Sequence, residues 1–258
     1  MFPQILHIYG PISINSYGTM IAIGFLLFTY LTYNHPIRKK LIDGQNFFDA
    51  LFLGLFSGII GGRILFILEN YKSFSNNWVE VFYPWIGGFS VQGTIIAVLI
   101  TLTIYLKDKK VPLLPFMDLI AIYAPLLQSI SRIGCFLAGC CYGKQCCNDF
   151  IFSVSYANPQ CLAPLNEYLH PTQLYSCIAS FLIFLILLLF ISKKTRKPGQ
   201  VVFSYLFLEG AARFIVDFWR GDRTLIGSFI SFSQFFAISL SVFAIFAFLY
   251  ITFRKKNK

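Results

Sequence analysis

Three arginines stand where a charge is costly. Arg63, Arg132 and Arg213 each fall inside a long apolar run, and a guanidinium at the centre of a membrane helix costs about 2.5–3.5 kcal/mol even on insertion scales. A planar, permanently charged fork in a low-dielectric site grips an oxyanion through paired hydrogen bonds, and the oxyanion a bilayer supplies is a lipid phosphate. The chemistry these residues would perform is recognition of a phospholipid headgroup. Their surroundings differ. Glu209, Arg213 and Asp217 follow at intervals of four, so both carboxylates share the helical face of the guanidinium and are expected to hold it. Arg132 has Gln128, Ser129, Cys135 and Phe136 at helical contact distances, and Arg63 has Ile59, Ile60, Phe66 and Ile67. Neither has a local counter-ion. The alternative is that each snorkels to an interface or pairs with a carboxylate on another helix, such as Asp118.

The elements that must position these side chains are membrane helices. The 258-residue chain is 57% apolar and 12% charged, about half the charged fraction of a soluble domain, and its mean hydropathy is +0.68. Apolar windows at 17–34, 47–68, 86–106, 115–138, 171–192, 200–219 and 229–253 are each long enough to cross a bilayer. They predict an all-α polytopic membrane protein with about seven transmembrane helices, forming a single membrane domain over residues 1–258 with an outer-face loop at 143–170.

The net charge of +10 does not describe a nucleic-acid binder, because the basic residues form no single face or arm. They form clusters between alternate spans: Arg38, Lys39 and Lys40; Lys107, Lys109 and Lys110; Lys193, Lys194, Arg196 and Lys197; and Arg254, Lys255, Lys256 and Lys258. The other connections carry Lys72, Lys144, Arg220 and Arg223. The positive-inside rule then puts the clusters in the cytoplasm, the N-terminus outside and the C-terminus inside. Met1 to Ser16 has no basic start or cleavage pattern, so the first helix is expected to be retained.

Two stretches carry further structural information. Gly54, Ser57, Gly58, Gly61 and Gly62 let helices approach closely. The segment Ser131 to Lys144 interrupts an apolar helix with Gly134, Gly139 and Gly143, and irregular backbone at that depth requires cover by protein or a wet cavity. This is the expected wall of the site. Of seven cysteines, Cys140, Cys141, Cys146 and Cys147 form a CC-x4-CC cluster with Cys161 in the same loop. Disulfides clamping an outer loop, a zinc site without the usual C-x2-C bite, and reduced packing are the readings open to it. Cys135 and Cys177 are expected to be buried packing residues. No base is positioned to make any of these thiols a nucleophile.

Taken in order, several short strings resemble the phosphatidylglycerol:prolipoprotein diacylglyceryl transferases of the bacterial cytoplasmic membrane. They are Tyr17-Gly18, Gly61-Gly62-Arg63, Gly87-Gly88-Phe89-Ser90, Arg132-Ile133-Gly134, His170-Pro171-Thr172-Gln173-Leu174-Tyr175, and Gly210 through Phe218. Each is weak alone, but their order over almost the whole chain is specific. The resemblance implies transfer of the diacylglyceryl group of phosphatidylglycerol to the lipobox cysteine of a preprolipoprotein signal peptide. The product is a thioether, and glycerol phosphate is released. It also implies phosphate-clamp roles for Arg132 and Arg213, matching site positions at Tyr17 and Gly143, and recurrent family positions at Arg63 and His170. A monomer without metal or organic cofactor is expected.

The chain departs from the family pattern at several of these positions. The histidine of the family's His-Gly-Gly-Leu-x-Gly is Gln92 here, and glutamine takes no proton at neutral pH. The asparagine of the family's Arg-Ile-x-Asn-Phe is Cys135, its downstream glutamate is Cys140, the tyrosine before the C-terminal arginine is Glu209, and Ser176 stands where a glutamate is common. Either the same transfer runs with Glu209 or His170 as the base, or a relative has kept the lipid site, with Asp217 supporting Arg213, and changed its acceptor or lost catalysis.

Overall fold

The computed structural model describes residues 2–9, 12–71, 88–146, 150–226 and 229–254. Lys72, Gly87, Cys147, Lys255, Lys256 and Lys258, singled out above, lie outside these. The chain is mostly helical, with two short antiparallel hairpins that a purely helical expectation omits. In the first, β1 (Gln4–Tyr9) pairs with β2 (Ile12–Asn15). Then come α1 (Ser16–Asn34), α2 (Pro36–Leu41), α3 (Gly44–Glu69), α4 (Val91–Asp108) and α5 (Leu113–Ala138). Helix α6 (Thr172–Ile186) runs through a π-helical turn at Leu187–Ile191 to Lys194. Helix α7 (Gln200–Asp217), the hairpin of β3 (Leu225–Ile226) with β4 (Ile230–Ser231), and α8 (Phe232–Phe253) complete the order.

Six of these helices are long and apolar enough to cross a membrane: α1, α3, α4, α5, α6 with its extension, and α8. The seventh expected span does form a helix, α7, but Glu209, Arg213 and Asp217 lie within its 18 residues. Its composition is too polar to place it with the other six, for the same reason that makes it interesting chemically.

The chain divides into two compact units, Tyr33–Phe116 and the remainder. Within Tyr33–Phe116, local signals set the helix ends. His35 caps α2 by accepting the Ile37 N–H at 3.2 Å, with Pro36 at the first helical position, and Asp43 caps α3 by accepting the Asn46 N–H at 3.2 Å. Helices α3 and α4 pack almost backbone to backbone. A Cβ on Gly61 would lie 2.2 Å from the Cβ of Ala97 and 2.8 Å from the Gly93 carbonyl, as the run of small residues predicts. Thr94 Oγ1 donates across this seam to the Gly58 carbonyl at 3.1 Å.

In the other unit, α7 and α8 form a tight pair, where a Cβ on Gly210 would sit 2.9 Å from the Ala237 carbonyl. Asp118 on α5 caps α7, its two oxygens accepting from the Gly199 N–H at 2.6 Å and the Val202 N–H at 2.8 Å. Its negative charge faces the positive end of the helix dipole. Asp118 is therefore no counter-ion for a buried arginine. At this same end of the pair, Lys197 Nζ donates to the carbonyls of Thr252 and Arg254 at the end of α8. The loop between α5 and α6 folds on its own small core of Tyr156, Cys161, Ala163 and Leu169. Burial pushes the Tyr156 phenol up to about 12, opposed by the hydrogen bond from Gln173 Nε2 at 3.1 Å.

Candidate functional site

A crevice in the larger unit is lined by Gln128 and Arg132 from α5, Ser176, Ala179 and Ser180 from α6, and Glu209, Ala212, Arg213 and Val216 from α7. Three of the expected site residues, Arg132, Glu209 and Arg213, thus converge from two helices. Residues 128 and 132 share a face of α5 by their spacing of four, as do 209, 213 and 216 on α7.

The two arginines are held differently. Arg213 Nε donates to Ser233 Oγ at 3.1 Å, which ties it to the first turn of α8. Arg132 has a buried Nε with no partner among the described residues. Glu209 accepts a hydrogen bond from Gln128 Nε2 at one carboxylate oxygen, while the other, Oε2, is buried without a partner among the described residues. Tyr205 donates to Gln128 Oε1 at 3.2 Å, so the amide is fixed with its N–H toward Glu209. Both arginines lie within electrostatic reach of that carboxylate.

The expected clasp of Arg213 by Glu209 and Asp217 is not what forms. Asp217 is 1% exposed and turns toward α8 and the loop before it. It accepts from Ser231 Oγ at 2.5 Å and from Arg223 Nε at 3.1 Å. Arg223 in turn donates to Gln234 Oε1 at 2.8 Å. Spacing of four gives a shared helix face, but a carboxylate at the last residue of a helix can reach a loop that folds back over it. Arg223, assigned from sequence to a loop, is the ion-pair partner there.

The remaining expected residues lie around this core or apart from it. Gly134 lets α5 press on α1, where a Cβ would lie 3.1 Å from the Cα of Tyr17. Tyr17 stands within electrostatic reach of Arg132 and Cys135. Gly143 is a close-approach position, donating its N–H to the His170 carbonyl at 3.1 Å, and a Cβ there would lie 2.3 Å from that oxygen. His170 packs on Phe150 with ring centroids 5.0 Å apart and shares a 3.3 Å hydrogen bond between Nδ1 and the Tyr175 hydroxyl. It does not line the crevice. Arg63 and Gln92 belong to the Tyr33–Phe116 unit. There, Arg63 donates to the Gly88 carbonyl at 3.1 Å and lies over the Phe66 ring, while Gln92 Oε1 accepts from Ser90 Oγ at 3.2 Å.

Among the described residues Cys135, Cys140, Cys141, Cys161 and Cys177 are not joined in disulfides; Cys147 lies outside the described residues. The sulfurs of Cys135, Cys140 and Cys141 lie within 4.8 Å of one another. Gln128, Tyr205, Ser233 and Arg223 were not identified from sequence as parts of the site. Only Gln128 had a signal, since it stands one turn from Arg132.

Six helices long and apolar enough to cross a membrane, with a crevice lined by Arg132, Arg213 and Glu209, fit a multi-pass membrane protein. Residues 3–250 match the family model described as prolipoprotein diacylglyceryl transferase. The phosphatidylglycerol--prolipoprotein diacylglyceryl transferase of Clostridium tetani is 36% identical over 256 residues, covering 99% of this chain and 100% of that protein. The Clostridium perfringens protein named phosphatidylglycerol--prolipoprotein diacylglyceryl transferase 2 is 32% identical over 236 residues, covering 91% and 90%. That of Clostridium botulinum (strain Loch Maree / Type A3) is 30% identical over 259 residues, covering 100% of each. The chain belongs to the prolipoprotein diacylglyceryl transferase family.

Proposed function

We propose that this protein transfers the diacylglyceryl group of phosphatidylglycerol to the lipobox cysteine of preprolipoproteins, the first step of lipoprotein maturation. The observation that carries this reading is the pairing of unused capacity in one crevice. Arg132 Nε has a donor to spare and Glu209 Oε2 an acceptor to spare, both buried. In the reaction the substrate thiol gives its proton to Glu209, and the thiolate sulfur forms a bond to the terminal glyceryl carbon of the diacylglyceryl group. The bond from that carbon to the phosphate oxygen breaks, and glycerol phosphate leaves. Arg132 and Arg213 stabilise the charge that develops on the departing phosphate. The Tyr205–Gln128 relay orients the carboxylate.

The same reading gives seven spans, with α7 kept in the membrane by its partners. It places the N-terminus outside, the basic clusters in the cytoplasm, and the protein as a monomer in the cytoplasmic membrane. The test is to incubate purified protein with a lipobox peptide and either phosphatidylglycerol or phosphatidylethanolamine. A thioether-linked product with phosphatidylglycerol is expected. No product with either lipid, together with retained phosphatidylglycerol binding, would leave a lipid-binding protein without this transfer.

A further inference from the structure

We propose that Cys135, Cys140 and Cys141 form a binding site for a thiophilic divalent cation of the zinc class. Three sulfurs gathered within 4.8 Å are close to the about 3.8 Å separation that a tetrahedral site with Zn–S bonds of about 2.3 Å requires, so side-chain rotation alone can close it. The backbone is shaped to bring them together. Cys135 sits in the last turn of α5, and the chain then reverses through two left-handed residues, Gly139 at φ +75° and Cys141 at φ +57°. Cysteine rarely adopts such a φ, and a non-glycine residue held there stores strain that the surroundings must offset. They do so by anchoring both cysteine carbonyls to the first turn of α6. Thr172 Oγ1 donates to Cys141 O and Gln173 Nε2 to Cys140 O, each at 2.8 Å. The three sulfurs are thereby held near one another, with Cys140 Sγ donating to the Cys135 carbonyl at 3.7 Å.

Charge favours occupancy. Three thiolates around a dication carry a net negative charge, and Arg132 and Arg220 both lie within electrostatic reach of Cys141. Among the described residues no fourth His, Cys, Asp or Glu completes the group.

The test uses the full chain purified under reducing conditions. Zinc addition followed by dialysis should leave one metal per chain, and Co(II) in its place should give thiolate-to-metal charge-transfer absorption. Cys140→Ser and Cys141→Ser should each weaken binding by more than the roughly 10- to 100-fold that loss of an outer-shell partner costs, while Cys177→Ser should leave it unchanged. A second measurement needs no variant: zinc should slow alkylation of these three thiols in the native protein, and a chelator should restore it. Absence of bound metal, metal retained by both serine variants, or a disulfide among the three in the freshly purified protein would each overturn the proposal.

Discussion

Removing the guanidinium of Arg132 should cost activity and little else. Its Nε has no partner among the described residues, so Arg132→Ala orphans none of them, yet on the proposed mechanism it deletes a donor to the departing phosphate. Loss of one such donor lowers turnover by roughly 100- to 1,000-fold. The expected result is that loss in a transfer assay with thermal unfolding in detergent unchanged. An unfolding temperature that falls in step with activity would mean that Arg132 is a packing residue. Arg213 differs, because its bond to Ser233 ties α7 to α8, and its removal should lower both activity and stability. At this scale the sequence was informative wherever charge met an apolar surrounding, since burial of a guanidinium needs a reason that composition can reveal. Pairing was not legible. Asp217 and Asp118 were both read as arginine partners in prospect, but one is held by Arg223 and Ser231 and the other caps a helix, contacts set by folding across many residues.

Helices α3 and α4 meet so closely that a single methyl group should be felt. Gly61→Ala puts a carbon within 2.2 Å of the Ala97 Cβ, and overpacking of this kind costs about 1–3 kcal/mol. The variant should unfold at lower temperature, and adding Ala97→Gly should recover part of the loss, because the Gly93 carbonyl at 2.8 Å remains in the way. No recovery would show that the two positions do not oppose one another. The spans were read from apolar runs to within about five residues at each end, and the small-residue seam from its spacing. The hairpin Gln4–Asn15 was missed because two short strands beside a membrane helix give no run long enough to show a period. Helix α7 shows the opposite case: its periodicity is legible, and its charges are what remove it from the apolar set.

For the molecule as a whole, the proposed topology puts the basic clusters and the α5–α6 loop on opposite sides of the membrane. Single cysteines introduced at Lys144 and Lys109, in a background without native cysteines, should report this. A membrane-impermeant thiol reagent should label Lys144→Cys in intact cells and Lys109→Cys only after permeabilisation. The reverse pattern would invert the topology. On that topology most of the basic residues fix orientation and a few lie within the helices. Sequence alone conveyed that the basic residues fall into two groups in different company, clusters between apolar runs and single arginines within them. It did not convey the crevice itself, which requires Gln128, Glu209 and Arg213 to meet from helices about 80 residues apart in the chain.

The most direct test of the account is a reconstituted comparison of wild type with Glu209→Gln, which keeps the side-chain shape and removes the proton acceptor. With phosphatidylglycerol vesicles and a lipobox peptide, wild type should form the thioether, and the variant should bind the lipid equally well and form none. Wild-type rates in Glu209→Gln would contradict the assignment of the carboxylate as the base and with it the proposed chemistry of the crevice.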